Sequence, residues 1–216
     1  MLCHITSHIE GRPDDDRLSS VGGQGFPTIV AIDGDGRVLA NLEGGRDVES
    51  FTEMMKIAKA TMSELEALEK KVAEGDAEAL DALIGRKVDL KRIDAAEAKK
   101  LLENDKLSAS TKKKLEGVLA TAKVEDIMKK VTRDPKTQAA AGAEFAKLIS
   151  AGFEFPDQMS KLNAHYFASM HAEQSVDVKL METCLKAFKD AEGINPAFLE
   201  QFDKRLADLK EKAAKK

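Results

Sequence analysis

The pattern of the chain changes at residue 47. From Asp47 onward, apolar residues recur every three or four positions, and polar caps and Gly or Pro stops fall at intervals suited to helices. Strand signals are negligible after residue 45. Asp47 reads as the N-cap of a long helix. Val48, Phe51, Met55, Met62, Leu65, Leu68 and Val72 form its apolar stripe, and Gly75 ends it. Asp76 then caps a helix over about 77–85, and Asp94 one over about 95–103. Ser110 opens a helix to about Val131, weakened at Gly117. Pro135 opens the next, to about residue 150, and Pro156 one to about 173. Val176 or Asp177 begins another, to about 191. In the last helix Asn195 is the N-cap and Pro196 the first helical residue. Short connectors pair these helices as hairpins. Only fragments of a tetratricopeptide pattern are present (Ala146 and Leu148 before Gly152, then Leu162, Ala164, Tyr166 and Ala168), so a hairpin array and a compact bundle both fit.

The first 46 residues read differently. Residues 1–10 alternate as a strand would, with Leu2, His4, Thr6 and His8 on one face and Cys3, Ile5 and Ser7 on the other. A short helix over about 15–21 precedes the glycines at 22, 23 and 25. Residues 28–32 are β-branched and nearly all apolar, which predicts a strand buried on both faces. Asp33-Gly34-Asp35-Gly36 supplies the turn of a hairpin whose second arm is 38–42.

Taken together, residues 1–60 resemble the second half of a thioredoxin domain. The likeness rests on Gly25-Phe26-Pro27-Thr28, the hairpin after it, Glu43-Gly44-Gly45 and the following helix. It implies a cis Phe26-Pro27 bond, with Phe26, Pro27 and Thr28 forming a wall that receives an extended peptide. The family's Cys-x-x-Cys has no counterpart here. Met1 directly before a strand therefore fits an N-terminally shortened member. The family's central strand is also missing, and open apolar edges seek partners: the remaining pieces pair directly in a rearranged sheet, the long helix and the helical domain cover the edges, or a second copy supplies strands, and of these a homodimer through the N-terminal strands is expected. The expected fold class is α+β: a truncated thioredoxin-like α/β segment with its connecting helix over 1–75, then an all-α helical-hairpin domain over 76–216.

Composition narrows the function. The net charge of −4 argues against a nucleic-acid partner, and acidic residues lie close to both lysine runs, 112–114 and 210–216. No apolar run reaches the ~20 residues of a membrane span, and no signal peptide is legible, so the chain as written reads as cytoplasmic. Cys3 and Cys184 make no disulfide framework.

Candidate chemistry is confined to the N-terminal residues. On a strand, His4 and His8 would stand roughly 13 Å apart, too far to share one zinc ion. No metal and no cofactor is expected. Asp14-Asp15-Asp16 reads as a polar turn and helix cap, and Asp33-x-Asp35-Gly36 as a hairpin turn before a cation site. Cys184, set among Leu180, Met181, Ala187 and Phe188, reads as a buried inert thiol, whereas His165 and His171 fall on different faces of one helix.

Two functions follow. The first is a non-redox module binding a peptide or protein beside Phe26, Pro27 and Thr28 or on the helical domain. The second is an enzyme, through residual thiol chemistry at Cys3 or a hydrolase built from His4, His8, Ser19, Ser20 and the aspartates. No Gly-x-Ser-x-Gly elbow supports the hydrolase.

Overall fold

The computed structural model of the chain describes residues 18, 21, 23, 25 and 27–215. The expected strand over 1–10, most of the short helix after it, and Phe26 lie outside the described residues. The hairpin forms around Asp33. Its Oδ1 accepts the backbone N–H groups of Asp35 (3.0 Å) and Arg37 (2.9 Å), and its Oδ2 accepts Arg37 Nε (2.9 Å). Gly36 takes the positive φ of 81° that closes the turn. This joins β1 (Val30–Ile32) to β2 (Val38–Asn41) as an antiparallel ribbon, with Val30 opposite Asn41, Ala31 opposite Ala40 and a bulge before the Ile32–Val38 pair.

Eight helices follow among the described residues: α1 (Val48–Ala73), α2 (Ala77–Asp89), α3 (Ala95–Leu101), α4 (Ala109–Met128), α5 (Pro135–Ser150), α6 (Gln158–Ser175), α7 (Val178–Lys189) and α8 (Pro196–Ala214). All eight begin at or within two residues of an expected start. Asp47, Asp76, Asp94, Asp157, Asp177 and Asn195 each accept a backbone N–H of the first turn. Ser108, not Ser110, starts α4: its Oγ accepts Thr111 N at 3.2 Å and donates to Asp81 Oδ2 at 2.9 Å. Gly117 does not interrupt that helix.

These elements overturn the α+β fold class. The described residues form a mostly helical protein with a single two-stranded ribbon, and no thioredoxin-like α/β segment is present among them. The reason lies in how the ribbon buries its apolar groups. Its strands are three and four residues long, too short for a sheet core, and it packs on a helix instead. Leu39 and Ala40 join Met54, Ala58 and Leu65 of α1 and Leu83 of α2 in one cluster. Arg92, just after α2, donates Nε and Nη2 to the Val38 carbonyl (3.0 and 2.8 Å). The strand expected to be buried on both faces is not: Ile32 is 46% exposed.

The chain divides into two compact units, Met1–Glu116 and Gly117–Lys216, with the boundary inside α4. In the first, α1 covers the ribbon and packs on α2, and Arg86 of α2 reaches back to Glu64 (3.0 Å) and to the buried Thr61 (3.0 Å). In the second, α5 packs on α6, α6 on α7 and α7 on α8, each helix chiefly against its neighbour in the chain. Phe145, Ala164, Ala168, Met181, Cys184, Phe188, Phe202 and Leu209 lie at the centre of this unit's core.

Candidate functional site

The long helix α1 carries two apolar faces, and only one is covered. Asp47 fixes its start by accepting Ser50 N at 2.8 Å, which places Val48 at the first helical position. Met54, Ala58, Thr61 and Leu65 then recur at helical spacing and are buried. Val48, Phe51, Met55 and Met62 recur three, seven and fourteen residues on from Val48, and so share a second face. At 100° per residue it lies roughly 75° around the helix from the first. Those four side chains stay open to solvent: Val48 is 83% exposed, Phe51 39%, Met55 48% and Met62 42%.

This corrects the single seven-residue stripe read from the sequence. A stripe spaced at 3.5 residues drifts on a straight helix of 3.6 residues per turn, by about 20° per heptad. Leu65, Leu68 and Val72 drift into the covered face, while the first four residues do not. The legible signal was the second series, Met54, Ala58 and Leu65, whose small central residue suits the close approach of a neighbouring element.

The exposed face borders an open depression of about 580 Å³. It is lined by Val48, Phe51, Thr52 and Met55 and by the cations Arg46, Lys56 and Lys59. Lys56 pairs with Glu53 at 3.3 Å, an exposed contact of small energetic weight. Among the described residues Arg46 and Lys59 make no ion pair. Asp47 also lines the depression, but its carboxylate is committed to the Ser50 backbone N–H, which holds its pKa below the ordinary value.

The residues singled out from the sequence are not brought together here. Cys3, His4, His8, Ser19, Ser20 and Phe26 lie outside the described residues. Pro27 is exposed and Thr28 half-buried, with Thr28 Oγ1 donating to the Gly25 carbonyl at 2.6 Å. Both line a second groove of about 290 Å³, walled by β2 and by Asp89, Leu90 and Lys91 at the end of α2. Cys184 is fully buried in α7, and burial, aided by the charge of Asp177, pushes its thiol up to about 12, which keeps it inert at neutral pH. His165 is buried on α6 beside Phe155, with its Nδ1 unpartnered. Burial, with the nearby Lys161 charge, lowers its pKa to about 4, so it sits neutral in the core at neutral pH. Among the described residues no three His, Cys, Asp or Glu side chains converge as a metal site, and no helix is long and apolar enough to cross a membrane. No protein-family model, curated protein or solved structure matches the chain.

Proposed function

We propose that this chain is a non-catalytic interaction module that binds a peptide or protein on the exposed face of α1. The observation that carries the reading is the series Val48, Phe51, Met55 and Met62, four large apolar side chains left open on one face of a capped, rigid helix. Isolated exposed apolar residues are ordinary, whereas several large ones aligned on one helix face beside charged groups mark a contact surface. Covering the exposed parts of the four side chains is worth about 4 kcal/mol, and a matching apolar face on the partner adds a similar amount. After ordering costs, that supports a dissociation constant in the micromolar to millimolar range, suited to a reversible contact.

The test is a peptide-display selection against the immobilised chain, with selected peptides titrated against Phe51→Ser/Met55→Ser. Loss of binding in the double variant, with its circular dichroism melt unchanged, supports the reading. Selected peptides that bind both forms equally would move the function to another surface.

A further inference from the structure

We infer that the occupant of the α1 face is an amphipathic helix that carries carboxylates beside its apolar stripe; the inference rests on the interaction reading above and specifies the partner's chemistry. The shape of the face selects a helix. The backbone N–H and C=O groups of α1 are spent within the helix, so a partner meets side chains alone and gains nothing by presenting a strand edge. From Val48 to Met62 the row rises through fourteen residue steps, about 21 Å at 1.5 Å per residue. A helix of similar length reads such a row with its own residues at three- and four-residue spacing.

Charge selects the flanks. Arg46, Lys56 and Lys59 line the depression with its apolar residues; Lys56 shares its charge with Glu53 in an exposed pair, and the one carboxylate in the lining, Asp47, is taken up by the helix cap. The row also begins at the N-terminal, positive end of α1. Carboxylates on the flank of the partner's apolar face that meets Lys56 and Lys59 would therefore find cations along the depression.

The charges of the helix as a whole disfavour a membrane. An anionic membrane would need a basic polar face. Over its whole length α1 holds five glutamates (49, 53, 64, 66, 69) against four lysines (56, 59, 70, 71), so only the lining of the depression is basic.

The experiment titrates the full chain into two labelled synthetic helices that share one apolar face, flanked by glutamates in one and by lysines in the other. Fluorescence anisotropy is read at low and high salt. The Glu-flanked helix is expected to bind at least about tenfold tighter, with the advantage shrinking as salt screens the charges. Lys56→Glu/Lys59→Glu should invert the order, and Met55→Ser should remove binding of both helices. Met55 is half exposed, so this change leaves the core intact; an unaltered melt checks it. Equal or tighter binding of the Lys-flanked helix, abolished by Met55→Ser, overturns the inference and leaves the interaction reading standing. Failure of both helices to bind overturns the two together. A dimer in sedimentation that Met55→Ser dissolves would assign the face to a second copy, and tighter binding to phosphatidylserine vesicles than to the Glu-flanked helix would assign it to a membrane. Either result overturns the inference.

Discussion

Two chemically identical substitutions, Gly142→Ala and Gly117→Ala, should change stability in opposite directions. Both glycines lie inside helices, α5 and α4 respectively. Replacing a helical Gly by Ala favours the helix by about 1 kcal/mol, because the freer Gly loses more backbone entropy on folding. At Gly117 nothing stands within 4 Å of the added Cβ, so that gain should be realised: about 0.5–1 kcal/mol of stabilisation. At Gly142 the Cβ would lie 2.4 Å from the carbonyl oxygen of Phe167, 3.1 Å from the His171 Cβ and 3.2 Å from the Phe167 carbonyl carbon, all on α6. The nearest obstacle is helix backbone, which cannot rotate away as a side chain can.

Ordinary contact begins near 3.4 Å, so α5 and α6 would have to part by about 1 Å. A gap of that size forfeits a quarter to a half of each dispersion contact across the interface. The parted surfaces hold Phe145, Ala146, Ala164 and Ala168, which are at most 8% exposed. Overpacking of this kind costs about 1–3 kcal/mol; set against the helix term of about 1 kcal/mol, it leaves Gly142→Ala up to about 2 kcal/mol less stable than wild type.

The chain has no Trp, so the assay is urea unfolding followed by far-UV circular dichroism, with the midpoint compared at constant slope. A Gly142→Ala midpoint equal to or above wild type would refute the reasoning, since α5 and α6 would then have room between them for a Cβ.

Three further outcomes are expected. Because the His165 pKa is depressed to about 4, the unfolded chain binds more protons than the folded one between about pH 6.5 and 4. Stability is therefore complete above about pH 6.5 and falls with acidification by up to about 3 kcal/mol; urea midpoints at pH 7 and 5 should show the loss, and His165→Leu should flatten it. The lowered carboxyls of Asp33, Asp47, Asp81 and Asp157 act in a lower window, losing their contribution only as pH falls below about 4. Arg205 bonds both oxygens of Glu173 (2.6 and 2.8 Å) and lies 4.3 Å over the Phe202 ring, so Arg205→Ala should cost about 1–3 kcal/mol. Arg205→Lys should not restore it, because an ammonium cannot span both carboxylate oxygens; thermal melts of the three proteins decide. Asp33→Ala removes three acceptor contacts of the hairpin turn and should destabilise the ribbon by about 1–2 kcal/mol, read as faster amide exchange at Ala31, Leu39 and Ala40 with α5–α8 unchanged.

Much of the local structure was legible in the sequence because local structure is decided by neighbours. A cap needs one side-chain oxygen two or three residues before a free N–H, and Asp47, Asp76, Asp94, Asp177 and Asn195 carry that information within a single turn. The hairpin turn is likewise contained between Asp33 and Arg37. The candidate surface was half legible: its four residues stood out as an apolar series, but their fate did not. Whether Val48, Phe51, Met55 and Met62 are covered depends on where the ribbon and α2 dock, and these choose Met54, Ala58 and Leu65 instead.

Other features are equally non-local. Val176 holds a left-handed conformation, φ 58°, that β-branched residues avoid; its side chain packs against the core of the second unit and Asp177 caps the next helix, so tertiary contacts support the strain. His165 is buried and Gly142 is closely approached only because α5, α6 and their neighbours meet where they do. The fold class was misread for the same reason. The order of strand, turn, strand and helix is written in the residues, but whether a hairpin extends into a sheet or lies on a helix is decided by which apolar surface reaches it, and here α1 does.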